Sequence, residues 1–382
     1  MRIGINANFF QKPMTGIGVV TREFMQALKD IPDGREHEWI WYFEGDIPQG
    51  AWPDNWHFEA VSTWWSRDDL LHRFLWERLA LPRRIQRDRC DLFLSLYQSA
   101  TVLPKRVRHG MLVHDLVPKH FPEYQENLRQ RLYYRAIERA YASVDYFITP
   151  SASTKHDLEQ FLAIPAAQIS VAPLGVSDLF RAVLVSSVRD DILNRYGLEP
   201  GYLYHGGGLE RRKNTETLLR AYASLSGGVT ETRLLPPLVI SGKVYPETNP
   251  LATPVRSLIS ELGLERQVRL LGCVPDSDLP ALYQGASMFI YPSRFEGFGL
   301  PVLEAFASGT PVVTTAAGSL AELTGDAAMI VAPDDVTALA KAIRSLLGDE
   351  SARRALGAKG RERSTQYSWS RFAQTIVSTL LQ

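Results

Sequence analysis

The stretch Arg294-Phe295-Glu296-Gly297-Phe298-Gly299-Leu300-Pro301-Val302-Leu303-Glu304 leaves one apolar run, residues 288–291, and enters an apolar helical pattern, residues 300–307. A short apolar run followed by a glycine-containing loop and a 3.6-period pattern marks a strand–loop–helix unit. Pro301 suits the first turn of that helix, where its missing N–H has no intrahelical partner to lose. Gly297 and Gly299 would expose backbone amides at the helix start, a natural contact for a phosphate or hydroxyl. Two phenylalanines flanking glycine in a turn have little structural purpose. Glu296 and Glu304 are eight positions apart, more than two turns along a helix. They cannot act as one close pair, but they can grip two ends of an elongated ligand.

The same unit recurs along the chain. In the second half, strands are expected at 202–205, 238–241, 268–271, 288–291, 312–314 and 329–331, with helices at 215–224, 277–285, 300–307 and 336–347. In the first half, strands are expected at 2–6, 91–95, 111–114 and 146–149, with an extended piece at 169–172 and helices at 17–28, 128–142 and 154–161. Alternating strands and helices predict parallel sheets. After Pro173-Leu174-Gly175-Val176 comes a polar connection, 186–201, and two helical segments, 351–364 and 369–381, finish the chain. The expectation is an α/β protein of two Rossmann-like domains, 1–180 and 181–365, with a C-terminal helix at 366–382. Ligands then belong between the carboxyl ends of the two sheets.

Composition agrees. Of 382 residues, 45% are hydrophobic and 22% charged, which excludes disorder driven by low hydrophobicity. Lys plus Arg and Asp plus Glu both number 42, so the basic excess of a nucleic-acid binder is missing. Cys90 and Cys273 each border hydrophobic sequence and read as small core residues. No run reaches the ~18 apolar residues that span a bilayer, and Met1-Arg2-Ile3-Gly4-Ile5 reads as a first strand, so a cytoplasmic protein is expected. The segment 69–89 alternates leucines with positive residues and lies close to Trp64, Trp65 and Trp76. It reads either as an amphipathic basic helix on a membrane surface or as an ordinary helix packed on the sheet.

Other candidate chemistry lies at the ends of expected strands. Thr15-Gly16-Ile17-Gly18 opens a helix after the first strand and almost satisfies the dinucleotide fingerprint, but its third glycine position is Thr21. In Gly206-Gly207-Gly208-Leu209-Glu210-Arg211-Arg212-Lys213-Asn214, three cations precede a helix N-terminus, where the dipole already disfavours them, with Asn214 as the expected N-cap. A bound diphosphate resolves that conflict through the Lys213 charge and a forked arginine. His114-Asp115 ends the strand 111–114, and His205 ends another. Asp276-Ser277-Asp278 matches an Asp-X-Asp metal pattern, but its position before a helix favours capping, so no metal site is expected.

With these residues in view, the chain resembles the retaining GT-B glycosyltransferases of family 4. Glu296 and Glu304 reproduce the E-x7-E motif of that family, Lys213 matches its phosphate-binding lysine, and Ser368-Trp369 matches the pair before its last helix. Within the family, Thr15-Gly16-Ile17-Gly18, His114-Asp115 and Arg212-Lys213-Asn214 resemble bacterial mannosyltransferases of O-antigen and related polysaccharides, a subgroup using GDP-mannose or a related GDP-sugar. The resemblance implies a GT-B fold with two facing domains and a last helix crossing back to the first. It implies that Lys213, with Arg212 or Arg211, neutralises the diphosphate without a metal. Glu304 would bind ribose hydroxyls, and Glu296 would hold hydroxyls of the donor sugar near the developing positive charge. Amides around Gly297, Phe298, Gly299 and Leu300 would cradle sugar and phosphate, and Val274 would lie beside the nucleobase. His114, with Asp115, would contact the donor sugar, while Gly16 and Gly18, and Gly207 and Gly208, would border the diphosphate or acceptor. Many members carry an arginine where this chain has Gly208, and Arg212 is expected to supply that charge.

The implied partners are a nucleotide-sugar donor and a saccharide acceptor, carried on a lipid, with peripheral contact to the inner face of the membrane. No cofactor, metal or nucleic acid is implied. Two alternative activities stand beside this one. A NAD-dependent oxidoreductase needs a working dinucleotide fingerprint, and the chain offers only the defective one at Gly16. A nucleotide-sugar epimerase would use the same GT-B fold. A catalytically silent nucleotide-sugar binder would have no need of the glutamate pair.

Overall fold

The computed structural model describes residues 1–11, 15–61, 70–226 and 235–382. The chain divides into two units, Met1–Gly175 with Ser368–Gln382, and Val176–Tyr367. Among the described residues, the first unit holds strands β1 (Arg2–Asn6), β2 (Glu38–Phe43), β3 (Trp56–Ala60), β4 (Leu92–Ser95), β5 (Arg108–Leu112), β6 (Tyr146–Thr149) and β7 (Ile169–Val171). They form one all-parallel sheet in the order β3-β2-β1-β4-β5-β6-β7. Helices cover both faces of such a sheet, so central strands lose their polar alternation. All four residues of β4, Leu-Phe-Leu-Ser, are buried.

The closing helix Trp369–Leu380 belongs to this first unit, where it packs on the helix Gly16–Asp30, with Phe372 edge-on to Phe24 at 6.0 Å. Gly175 makes room for its entry, since a Cβ there would lie 2.2 Å from the Trp369 nitrogen. Gly175→Ala is therefore expected to cost about 1–3 kcal/mol by overpacking, seen as a lower midpoint of thermal unfolding by circular dichroism.

The second unit holds β8 (Leu203–His205), β9 (Leu238–Ser241), β10 (Val268–Gly272), β11 (Met288–Tyr291), β12 (Val312–Thr315) and β13 (Met329–Val331). These too are parallel, in the order β10-β9-β8-β11-β12-β13. That is the doubly wound 3-2-1-4-5-6 arrangement, whose order reverses between β8 and β11. Its core gathers Leu203, Ile240, Met288, Ile290 and Val313 from the sheet with Leu218 and Ile343 from the helices.

Several local expectations are corrected. Strands β2 and β3 were not anticipated, although Trp39, Trp41 and Phe43 make β2 an aromatic, β-favouring run. Strand β5 ends at Leu112, which leaves His114 in the loop beyond it. Cys273 is exposed, because the bulge before Gly272 (φ 69°) turns the chain out of β10. Asp278 precedes the helix Leu279–Gly285 without capping it through its side chain. Its backbone is already helical, and its carboxylate instead accepts from Tyr196 Oη at 2.6 Å and Arg195 at 3.1 Å.

The basic segment 69–89 packs in part as an ordinary helical segment. Trp76 is fully buried and donates from its indole to the Val61 carbonyl at 2.9 Å, while Leu81 and Ile85 join the same core. Trp76, Leu81 and Ile85 thus serve core packing, while Leu71 and Leu79 of the same segment are exposed. Trp64, Trp65, Arg67 and Asp69 lie outside the described residues. Among the described residues, no helix is long and apolar enough to cross a bilayer.

Candidate active site

Ligands of doubly wound sheets bind beyond the carboxyl ends of the strands where their order reverses. In the second unit that point lies between the loops after β8 and β11. The first loop carries Gly206–Gly208 and a short 3-10 turn, Arg211–Lys213, and the second carries residues 292–299. Arg294 N–H donates to the Arg212 carbonyl at 2.7 Å, and the Asn214 amide donates to the Pro292 carbonyl at 3.1 Å. Asn214 adopts a left-handed conformation (φ 61°), and its Oδ1 accepts from the Thr217 hydroxyl. Asn214 stands directly before the helix Thr215–Ser226, where its carbonyl accepts from the Leu218 N–H at 3.4 Å, and its side chain also clamps the two loops.

The clamp brings together Lys213 and Glu296, each 5% exposed. Glu296 Oε1 accepts from Lys213 Nζ at 2.7 Å, the Ser293 hydroxyl at 2.7 Å and the Tyr291 hydroxyl at 2.9 Å. Its Oε2 accepts from Arg212 at 3.0 Å, and Arg212 also pairs with Glu210 at 2.7 Å. Burial alone would raise the Glu296 carboxyl, but the Lys213 ammonium and Arg212 guanidinium outweigh it and hold it near 2. Burial, followed by the nearby Arg212, lowers Lys213. An ammonium has three donors, and Lys213 uses two inside the protein, toward Tyr291 and Glu296. A carboxylate oxygen has two lone pairs, so Oε2, with one bond, retains capacity toward a ligand.

The helix Leu300–Ser308 starts beside this cluster. Its N-cap is Gly299 at φ 103°, which has no side chain to cover the opening amides. Gly207 lies against it, since a Cβ there would stand 2.8 Å from Pro301 Cγ. Gly208 (φ 97°) faces open space. The backbone of Glu296 is fixed by Ser319, whose N–H and hydroxyl both reach its carbonyl at 3.0 Å. Further along the helix, Glu304 accepts from the Tyr283 hydroxyl at 2.9 Å, and burial pushes its carboxyl up to about 8. An aromatic row, Tyr283–Phe289–Tyr291, with centroids 5.1 and 5.6 Å apart, connects the two tyrosines that touch the glutamates. Phe298 is buried and meets Tyr367 edge-on at 5.9 Å, and Val274 is buried after β10.

His205 is structural. Both ring nitrogens are satisfied, by the Ile290 carbonyl at 2.8 Å and the Thr215 hydroxyl at 3.0 Å, and burial lowers its pKa to about 4.

The remaining candidates lie in the first unit. His114 Nε2 is 2.8 Å from the Leu96 carbonyl, which can only accept, so Nε2 carries the proton. Burial lowers its pKa, leaving a neutral imidazole with Nδ1 as an acceptor. Asp115 accepts the Val117 N–H at 3.1 Å at the start of the short helix Val117–His120, a local structural task. The Gly18 N–H is taken by the N-cap Thr15 hydroxyl at 3.0 Å. A Cβ on Gly16 would meet nothing within 4 Å, so packing among the described residues does not require glycine at that position.

Comparison with known proteins decides among the possible chemistries. Residues 193–363 match the family described as glycosyl transferases group 1, and residues 14–178 match Glycosyltransferase Family 4. Over 370 residues the chain is 33% identical to O-antigen chain mannosyltransferase B of Escherichia coli, covering 94% of this chain and 93% of that one. The chain belongs to the GT-B glycosyltransferases of group 1 and family 4. The glycosyltransferase is also 28% identical over 267 residues to serotype-specific mannosyltransferase WbdA of Escherichia coli, covering 69% of this chain and 32% of that longer protein. Sucrose-phosphate synthase from Thermosynechococcus elongatus shares the fold, with a TM-score of 0.78 at 20% identity over 99% of this chain and 98% of that one. The oxidoreductase alternative finds no support in either unit.

Sequence reasoning missed Tyr291 and Ser293 as members of the site, although both stand at the end of a buried strand just before Glu296. It also missed Tyr283, which meets Glu304 from a separate helix and carries no local signal.

Proposed function

We propose that this glycosyltransferase moves mannose from GDP-mannose to a saccharide acceptor on a lipid carrier in O-antigen or related polysaccharide synthesis, retaining the anomeric configuration and needing no metal. The observation that carries the reading is the Lys213–Glu296–Arg212 cluster at the strand-order reversal, with Glu304 on the helix that follows. The mannosyl specificity is supported by similarity along almost the whole chain to O-antigen chain mannosyltransferase B. The GDP moiety rests on the resemblance of the Gly16, His114 and Lys213 motifs to that subgroup.

In this mechanism the third Lys213 N–H, with Arg212 and the amides at Gly299 and Leu300, takes up the charge that develops on the departing diphosphate. Preorganised donors in a buried site stabilise such charge strongly. Glu296 Oε2 accepts a hydroxyl of the donor sugar, and Glu304 accepts from the ribose hydroxyls. His114, through Nδ1, accepts from another donor-sugar hydroxyl. No side chain of the cluster is a free nucleophile, which favours attack from the leaving-group side over a covalent intermediate.

The deciding experiment is calorimetric titration with GDP, UDP and NAD in buffer containing a chelator. Preferential GDP binding supports the reading, and product analysis with GDP-mannose and an acceptor then separates transfer from epimerisation. If UDP is preferred, the glycosyltransferase stands and the mannosyl proposal falls. Glu304 adds a pH signature. Only its ionised form accepts from both ribose hydroxyls, and its carboxyl is raised to about 8. Nucleotide affinity is therefore expected to rise about eightfold from pH 7 to pH 8.5. The Glu304→Gln variant should lose that rise.

A further inference from the structure

The second unit holds a cavity of about 220 Å³ lined by Arg211, Glu216, Thr253, Pro254, Leu258 and Arg294. Lys213, Glu296 and Glu304 do not line it. An antiparallel bridge, Glu210 to Ala252, joins two of its walls. The Arg211 N–H donates to the Leu251 carbonyl and the Thr253 N–H to the Leu209 carbonyl, both at 2.9 Å. Arg294 is tied to the same wall, since its guanidinium donates to the Arg211 carbonyl at 3.1 Å. The charges around the cavity do not cancel. Arg294 pairs with Asp334 at 2.8 Å and Glu216 with Arg220 at 3.0 Å, while Arg211 makes no ion pair among the described residues. Thr253 is 5% exposed, yet among the described residues its hydroxyl makes no hydrogen bond. Buried hydroxyls are nearly always paired, so an unpaired one on a cavity wall marks room for a ligand atom.

We propose that this cavity binds a small phosphate monoester. Guanidinium forks match phosphate oxygens, and two are available here: the whole of Arg211, and Nη2 of Arg294, which neither Asp334 nor the Arg211 carbonyl occupies. The Thr253 hydroxyl donates to a third oxygen. Pro254 and Leu258 give the carbon skeleton an apolar wall. The volume falls below the roughly 300–1,000 Å³ of pockets for larger ligands, which argues against a nucleotide. Glu216 on the rim disfavours a second phosphate. Arg211, an alternative partner for the diphosphate by resemblance, thus has a separate task, while Arg212 faces Glu296. The occupant would touch both loops that build the donor cluster, because the Arg294 N–H also holds the Arg212 carbonyl at 2.7 Å. The site stands whichever sugar is transferred.

The test is calorimetric titration of the full chain with glycerol 3-phosphate and with inorganic phosphate. Glycerol 3-phosphate is expected to bind the wild type more tightly than inorganic phosphate does. Arg211→Gln should weaken it about ten- to a hundredfold, the worth of hydrogen bonds to a charged group, and Thr253→Val about fivefold. Lys213→Ala should bind it like the wild type. Thermal unfolding checks that the variants fold, and the ligand should raise the midpoint of the wild type more than that of Arg211→Gln. Failure of the wild type to bind overturns the proposal, as does wild-type affinity in folded Arg211→Gln. Equal affinity for the two probes overturns the monoester, since the apolar wall would then add nothing. Binding lost in Lys213→Ala and kept in Arg211→Gln would also overturn it, assigning the anion to the donor cluster.

Discussion

Lys213→Ala is expected to lower turnover about a thousandfold, or ~4 kcal/mol of transition-state stabilisation, while the protein still folds. The fold survives because Glu296 keeps Arg212, Tyr291 and Ser293 as donors when the ammonium is removed. The activity is expected to be lost because, in the proposed mechanism, the donor nearest the cluster's centre is the one that takes up leaving-group charge. Steady-state kinetics with saturating GDP-mannose, beside a melting curve, separates the two effects. Transfer at close to the wild-type rate by this variant would sink the assignment of Lys213. Lys213→Arg is no conservative rescue, since a planar fork replaces a point charge in a site 5% exposed.

Glu296→Gln is expected to damage stability and rate together. Removing one partner of a buried ion pair costs about 3–5 kcal/mol, because the other charges stay buried without compensation. Here Lys213 would be left facing a neutral amide, while Arg212 keeps Glu210 as a partner. The pH dependence gives an independent signature. The folded carboxyl is held near 2, below an unfolded value of about 4.3. Its contribution to stability is therefore complete above the unfolded pKa and is lost as pH falls from there through 2. Acid titration of wild type and variant by circular dichroism should show the stability gap closing over that window. A constant gap would mean that Glu296 stabilises the fold by packing and not by charge.

Much of this architecture was legible in the chain because parallel strands buried on both faces leave apolar runs that need no partner to be noticed. Five of the expected strands, including 2–6, 146–149 and 288–291, coincide with the structure residue for residue. Strands β2 and β3 escaped because Trp39, Trp41 and Trp56 were not read as strand formers. The glutamate pair and the cation run were visible because a strand end, glycines and charges fall within one short stretch. What sequence could not show is that the two loops are bonded to each other, so that Lys213 and Glu296, 83 positions apart, form one buried pair. Tertiary contact also reassigned Asp278 and Cys273, whose neighbours in sequence pointed to other roles.

The first unit is written in two pieces around the second, and this sets an order of maturation. A chain made from its amino end completes the second unit at Tyr367, while the helix Gly16–Asp30 still lacks its cover. Phe24 must wait for Phe372, which the ribosome adds only after every residue of the second unit has been joined to the chain. The half that is begun first is therefore finished last, and a chain released after Tyr367 would leave an uncovered apolar face on the helix Gly16–Asp30, in need of a chaperone.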